Sequence, residues 1–360
     1  MAKSAYIHIP FCKQKCNYCS FTSFTNVENI SNYKKALETE IKHFYKGELL
    51  DTLYFGGGTP SLLTSDIIKD IIKNFNINSN TEITLELNPD DANIDYLKSL
   101  RDIGINRLSI GSQTFNDKIL QIIGRRHDSK QTIQAVELAQ KAGLENISLD
   151  LIYGLPLQTL AILEDDLKTL TDLGIQHIST YGLKIEENSY FYKNIPQNLP
   201  DDDIQADMYL FINDYLQKYK FKRYEISNFA LQGFESKHNL NYWNNKEYYG
   251  FGLSAHGYND GIRYANSCNL IEYIKSPLVK SSSHKQTEQE KLEEEIFLGF
   301  RKESGINVSE INKNFNIDFN EKYKSTLNKF IPEFIEKTSD GYKLTIKGVL
   351  LSNHILSEFI

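Results

Sequence analysis

Between residues 5 and 183 short apolar runs alternate with longer amphipathic stretches, and Gly, Asn, Asp and Pro separate them. The short runs are rich in β-branched and aromatic side chains, which predicts strands at Ala5–Ile9, Thr52–Phe55, Glu82–Leu87, Arg107–Ile110, Ile147–Ile152 and His177–Tyr181. Apolar positions at helical spacing predict helices over Ile30–Tyr45, Ser65–Phe75, Ile94–Ile103, Lys130–Ala142 and Leu160–Leu173. Six strands joined by helices imply parallel pairing through right-handed crossovers. Periodicity alone fits an open doubly wound sheet as well as a barrel. In either case a ligand site collects at the C-terminal ends of the strands.

Beyond this region Glu186–Pro200 is polar and Pro-containing and reads as a connector into a helix at about Asp202–Lys218. From about Gln286 the pattern gives a Glu-rich helix through Phe300, a helical pair around Val308–Phe330, a hairpin at Phe334–Ile346 and a last helix. Three units are expected, at 1–184, 185–285 and 286–360, the last a small, mainly helical, winged-helix-like domain. It contains no basic run, so a lid or docking surface is expected there rather than DNA binding.

Composition narrows the class. With 360 residues, 40% of them hydrophobic and 24% charged, the chain can bury a large core. Forty Lys and Arg stand against 47 Asp and Glu, a net charge of −7 that argues against a nucleic-acid partner. No apolar segment reaches membrane-spanning length, the N-terminal apolar run is too short for a signal peptide, and cysteines are few; a cytoplasmic protein is expected.

Three of the four cysteines fall in YIHIPFCKQKCNYCSF, where Cys12, Cys16 and Cys19 form a C-x3-C-x2-C array just after the first strand. Thiolates so close in one loop are soft ligands suited to iron–sulfur clusters or zinc, and poor disulfide partners for one another. A closed structural zinc site wants four ligands, and this segment offers three. Metal binding with one vacancy is the first reading, and a zinc knuckle completed by a distant histidine is the alternative. Cys268 is left over and is expected to be a buried structural thiol.

The array and its setting resemble the radical S-adenosylmethionine (SAM) superfamily. The resemblance implies that the three cysteines hold three irons of a [4Fe–4S] cluster and that SAM chelates the fourth. Electron transfer to the sulfonium then releases a 5′-deoxyadenosyl radical. The same resemblance implies an α/β fold built on a partial (β/α)6 TIM-like barrel of the radical SAM type, with Tyr18 beside the adenine.

Further motifs fall at successive strand ends. Gly56-Gly57-Gly58-Thr59-Pro60 lets the backbone approach a ligand closely, although a plain βα turn also asks for glycine. Glu86 in ELNPD either faces a ligand or caps a helix; Arg125 in GRRH either grips a carboxylate with two hydrogen bonds or is solvated; Asp150 in DLIYGLP is placed to accept from hydroxyls. Taken in order, YIHIPFC, YFGGGTPS, ELNPD, RLSIGSQTFN, GRRH and DLIYGLP resemble the coproporphyrinogen dehydrogenases and their relatives, the HemN/HemW family, over nearly the whole chain. Residue by residue, that family implies Tyr6, Tyr18, Gly57, Gly58, Thr59, Glu86, Gln113, Arg125 and Asp150 around SAM. Thr59 stands where Glu is common in the wider superfamily.

His238-Asn239-Leu240-Asn241-Tyr242-Trp243 carries the only tryptophan. An imidazole among aromatic rings suits an axial haem ligand, and it equally suits a core histidine. HNxxYW resembles the haem-binding motif of HemW-type haem chaperones, which implies His238 as the ligand. YGFGLSAHG resembles a segment of the same branch at the barrel mouth and makes His256 a second candidate. Two departures separate the chain from the dehydrogenases, which extend the array to C-x3-C-x2-C-x-C and carry a long segment ahead of the first strand. Here Phe21 holds the extra cysteine's position and five residues precede Tyr6. The expectation is a HemW-type chaperone that binds the cluster, SAM and haem and hands haem to an acceptor protein, without coproporphyrinogen III oxidase activity. A reductant such as flavodoxin or ferredoxin is an implied partner. The alternative is an oxygen-independent coproporphyrinogen III dehydrogenase or another porphyrin-directed radical SAM enzyme.

Overall fold

In the computed structural model, which describes residues 2–360, the alternation becomes β1 (Ser4–Ile9), α1 (Ile30–Phe44), β2 (Thr52–Gly57), α2 (Ser65–Ile72), β3 (Glu82–Leu87), α3 (Ile94–Asp102) and β4 (Arg107–Gln113). It continues through α4 (Asp117–Ile122), α5 (Ser129–Lys141), β5 (Ile147–Tyr153), α6 (Leu160–Asp172) and β6 (His177–Gly182). Strands β2, β4 and β5 run further than their apolar residues suggest, because ladder hydrogen bonds belong to the backbone and continue through Gly57, Gln113 and Tyr153. Helix α4, short and inside a motif-rich segment, escaped the periodicity reading.

The connector holds the single turn α7 (Tyr190–Lys193) and leads into α8 (Asp202–Lys218), β7 (Lys222–Arg223), β8 (Asn228–Ala230), α9 (Lys237–Trp243) and β9 (Tyr249–Phe251). The main sheet has the order β7-β8-β6-β5-β4-β3-β2-β1-β9. Strands β1 to β6 are all parallel neighbours, β9 adds in parallel to the free edge of β1, and β8 adds antiparallel to β6. The result is an open (β/α)6 barrel, as expected, with both edges extended by later segments.

Side-chain parity divides the sheet into two faces. Ile7, Leu53, Phe55, Leu85, Leu108, Ile110, Leu149 and Ile178 are buried in the main apolar core with residues of the flanking helices. Each such side chain contributes roughly 1.5–3 kcal/mol by leaving water. The alternate residues face the lumen and are polar: Tyr6 lies beside Tyr54, Tyr54 beside Thr84 and Thr84 beside Arg107, while Glu86 pairs with Ser109 and Asp150 with Ser179. A parallel sheet covered on both faces by helices reads as continuous hydrophobic runs; this alternation instead marks a lumen kept for ligands.

Helix α9 stops the bottom of that lumen. Its N-terminus is capped by Ser236, whose side chain accepts from Asn239 N, and Glu82 of β3 accepts from the backbone N–H groups of Lys237 and His238 at 3.2 and 3.1 Å. HNxxYW is thus helical.

After β9 come the meander β10 (His256–Asn259), β11 (Ile262–Asn266) and β12 (Lys280–Lys285), with α10 (Leu270–Lys275) between the last two. Cys268, expected to be buried, is exposed: it sits in the short bend between β11 and α10. The remainder is a mainly helical domain of α11 (Glu288–Gly299), β13 (Ile306–Asn307), α12 (Val308–Phe315), α13 (Phe319–Lys322), α14 (Lys324–Phe330), β14 (Ile335–Lys337), β15 (Gly341–Leu344), α15 (Ile346–Leu350) and α16 (Ser352–Ser357). Its three short strands pair in the order β13-β15-β14, and it has its own apolar core around Leu292, Phe300, Phe319, Ile335 and Phe359. Among the described residues no helix is long and apolar enough to cross a membrane.

Candidate functional site

The cysteine loop leaves β1 and is closed at its base, where Cys12 N donates to Phe24 O at 3.0 Å and Phe24 N to Pro10 O at 2.8 Å. Its far side is tied to the turn after α4. Asn17 N donates to Ile123 O at 2.9 Å, and Asn17 Nδ2 to Ile122 O at 2.8 Å. That turn carries Arg125, whose guanidinium donates to Gly111 O at 2.7 Å, to Asn88 Oδ1, and to Cys16 Sγ at 3.5 Å. Thr59 Oγ1 donates to Cys12 Sγ at 3.4 Å. Donors and a cation beside sulfur lower the cost of gathering thiolates in one place.

No three Cys, His, Asp or Glu side chains among the described residues gather around one point for a single ion. The cysteines stand instead as separate donors around the wall of one cavity. That arrangement fits a multi-iron cluster, in which each thiolate takes its own iron.

The glycines after β2 make room for this loop. A Cβ on Gly58 would lie 2.7 Å from Phe11 O and 3.0 Å from Cys12 Sγ, and one on Gly57 would lie 2.5 Å from the His8 ring. Gly57 also has φ +114°, a conformation few other residues adopt. Across the cavity a register shift in β4 between Gly111 and Gln113 puts Gln113 at φ 65°, aiming its side chain into the cavity. The following loop is held by Asp166 of α6, a buried carboxylate that accepts from Thr114 Oγ1 at 2.8 Å and Phe115 N at 2.6 Å.

The cavity, of about 550 Å³, gathers Cys12, Cys16, Cys19, Tyr18, Gly57, Gly58, Thr59, Glu86, Gln113, Arg125 and Asp150. Glu86 accepts from Tyr54 OH and from Gly57 N, each at 3.0 Å. Loss of water around Glu86 and the neighbouring Asp150 charge nonetheless push its pKa up to about 7. Asp150 accepts from Ser109 Oγ at 3.2 Å; desolvation raises it to about 6, against the pull of Ser179 and Arg107. Two carboxylates poised near neutrality, a buried arginine and a guanidinium beside sulfur make a site suited to a ligand carrying both charges.

Tyr54, Arg107, Ser109, Ser179, Tyr181 and Asn239 also line this cavity and were not singled out from the sequence. The signal was available for the strand residues: they share the lumen-facing parity of Glu86 and Asp150.

Two expected residues lie elsewhere. Tyr6 shares a hydrogen bond with His8 Nδ1 at 3.0 Å and lines a second cavity across the cysteine loop, separate from the one that holds the cysteines. His238 lines neither cavity. It is 1% exposed, its Nδ1 bonds Thr52 Oγ1 at 2.7 Å, its Nε2 bonds Tyr242 OH at 2.8 Å, and its ring stacks on Tyr54. Burial, then the Arg107 charge, lower its pKa to about 3, so the ring is neutral, with one nitrogen donating and the other accepting. In this arrangement both ring nitrogens are engaged by hydroxyl groups.

Residues 6–170 match the model of the radical SAM superfamily, and residues 286–351 match that of the HemN C-terminal domain. The chain is 38% identical to a relative from Lactococcus lactis named haem chaperone HemW, over 99% of this chain and 97% of that one. A Bacillus subtilis protein of the same name is also 38% identical, over 99% of both. Among solved structures, coproporphyrinogen III oxidase (HemN) from Escherichia coli superimposes with a TM-score of 0.87 over 99% of this chain and 90% of that one; at 23% identity the likeness speaks for the fold.

Proposed function

The chain belongs to the HemW family of the radical SAM superfamily, a membership that implies a [4Fe–4S] cluster and SAM, and from that premise we propose that it is a haem chaperone. It binds the cluster, SAM and haem and passes haem to an acceptor protein. The observation that carries this reading is similarity along the full length to relatives named as haem chaperones. Phe21, in place of the extra cysteine of the dehydrogenases, supports it.

Cys12, Cys16 and Cys19 hold the cluster, and their separate placement around one cavity supports that role. When bound, the cluster and SAM supply one-electron chemistry at the sulfonium. The chain's own residues bind and orient. Arg125 takes the SAM carboxylate, Glu86 with the Gly57-Gly58-Thr59 segment its ammonium, Asp150 and Gln113 its ribose, and Tyr18 its adenine, with Tyr6 supporting the wall from the far side. Residues 1–184 then form the cofactor unit, 185–285 the extension that floors and rims it, and 286–360 a docking surface for the acceptor.

Anaerobic reconstitution, haem titration and a coproporphyrinogen III assay on one sample test the reading. Haem binding without formation of protoporphyrinogen IX is expected. Formation of protoporphyrinogen IX, or absence of haem binding, would overturn it.

A further inference from the structure

We propose that Arg107 anchors the carboxylate of a second ligand, a small organic acid with an apolar body, that shares the cofactor cavity with SAM; this rests on the assignment of the SAM carboxylate to Arg125. Arg107 opens β4, faces the lumen and lines the cavity, yet it is only 2% exposed. Its guanidinium makes no hydrogen bond or ion pair with any described residue, and its Nε is buried without a partner. Beside it across the ladder, the hydroxyl of Thr84 is also buried without a partner. Buried charges in folded proteins are paired or bound to something, so an orphaned pair of groups at the wall of a cavity points to a ligand.

The polar groups around Arg107 are already committed elsewhere. His177 has both ring nitrogens engaged, Nδ1 with Ser148 Oγ at 2.7 Å and Nε2 with Tyr224 OH at 2.9 Å. His238 is engaged on both nitrogens too, and Tyr54 OH donates to Glu86 at 3.0 Å. Burial, then the Arg107 charge, hold both imidazoles neutral, so neither histidine competes for an anion and neither supplies one. Asp150 feels the Arg107 charge, but it accepts from Ser109 Oγ at 3.2 Å and from Ser179 rather than from the guanidinium.

Counting charges in the cavity gives the class of ligand. Glu86 and Asp150 stand against Arg107 and Arg125. SAM brings one carboxylate, for Arg125, while its ammonium and sulfonium offset the two acids. Arg107 is then the cation left without an anion. Arg125 is held at Gly111 O, four residues and roughly 13 Å further along β4 than Arg107, so the two guanidiniums mark different levels of the lumen. A planar guanidinium matches a carboxylate through two parallel hydrogen bonds. Tyr54, Ile152 and Tyr181 line the same cavity and offer apolar surface to the rest of the molecule. The cluster and SAM share that space, so the acid is small. A second organic ligand in this compartment is something that haem delivery does not require.

The test uses the anaerobically reconstituted full chain saturated with SAM. Butyrate, isotopically labelled at its carboxyl carbon, is titrated in at constant ionic strength and followed by carbon NMR; uncharged butyramide and inorganic phosphate are the comparison probes. Wild type is expected to bind butyrate in preference to both. Arg107→Met should bind it at least ~10-fold more weakly, and Arg107→Lys, which keeps the charge without the two-pronged fork, should fall between. SAM affinity by calorimetry and iron content should be unchanged in both variants. Equal binding of butyrate and butyramide, a preference for phosphate, or undiminished butyrate binding in the variants would overturn the anchor. Loss of SAM affinity in Arg107→Met would mean that Arg107 takes the SAM carboxylate, and would overturn it as well. Should Arg107→Met fail to fold, Arg107→Lys decides by the same comparison. If wild type binds no SAM, the cofactor reading falls together with this one; if it binds SAM but no butyrate, only the Arg107 assignment falls.

Discussion

Replacing His238 by Ala separates a floor residue from an iron ligand. The substitution deletes the bonds to Thr52 Oγ1 and Tyr242 OH and the ring stacked at 5.0 Å on Tyr54. Each net hydrogen bond is worth about 1 kcal/mol, and a buried hydroxyl left without a partner costs about 1–3 kcal/mol. The void left by the ring adds to this, so roughly 4 kcal/mol of stability should be lost, near the upper end for a point change. Urea unfolding followed by far-UV circular dichroism reads the loss directly. His238→Gln, whose amide offers a donor and an acceptor, should recover about half of it. Haem affinity per folded molecule should change little. The acid limb offers a second readout. A folded pKa of about 3 lies below the ordinary 6.5, so protonation favours the unfolded chain; wild type should lose stability as pH falls below about 6.5, and the Ala variant should lose less. A loss under ~1 kcal/mol together with disappearance of the ferric haem signature would refute the reasoning, because it would mean that a ring nitrogen is free for iron.

Three further outcomes follow from the cofactor cavity. Cys16→Ala should leave no [4Fe–4S] absorbance or EPR signal after anaerobic reconstitution, and a retained signal would dismiss the triad. Gly58→Ala places a Cβ 2.7 Å from Phe11 O and 3.0 Å from Cys12 Sγ, so cluster content per chain should fall and cost about 1–3 kcal/mol of stability, measured by iron analysis and by urea unfolding. SAM is a cation, and Glu86 and Asp150 titrate at about 7 and 6; SAM should therefore bind more weakly as pH falls from 8 to 5.5 by calorimetry, and Glu86→Gln should flatten that dependence. Without ligand the same raised pKa values work the other way: the folded state holds protons that the unfolded chain releases, so these two groups lower stability as pH rises through 4 to 7.

Much of this site was legible because parallel βα folds confine ligands to strand ends, and strand ends are where the glycine, proline and charged punctuation falls. Cys12, Thr59, Glu86, Arg125 and Asp150 were readable from that punctuation. Arg107 was passed over although strand parity turns it to the lumen, because it opens β4 a full strand length from the punctuated C-terminal end. Asp166 lies on a helix four elements away from the loop it holds, and no local pattern announces a tertiary hydrogen bond of that kind. Cys268 was misread for the opposite reason: a general preference of thiols for the interior was applied to a residue whose place in a turn decides its exposure.

The HNxxYW segment forms a helix, and helical geometry sorts its side chains among different neighbours. On a helix, successive side chains point about 100° apart and those four apart share a face. In α9, accordingly, His238 turns down onto β2, Asn239 faces the cavity that holds the cysteines, and Tyr242, one turn above His238 and bonded to it, walls the second cavity. One short helix therefore lends a side chain to each of the two compartments, which the cysteine loop also borders. Its N-terminus is anchored to Glu82 and its histidine to Thr52, so a rigid displacement of α9 moves a wall of both cavities together.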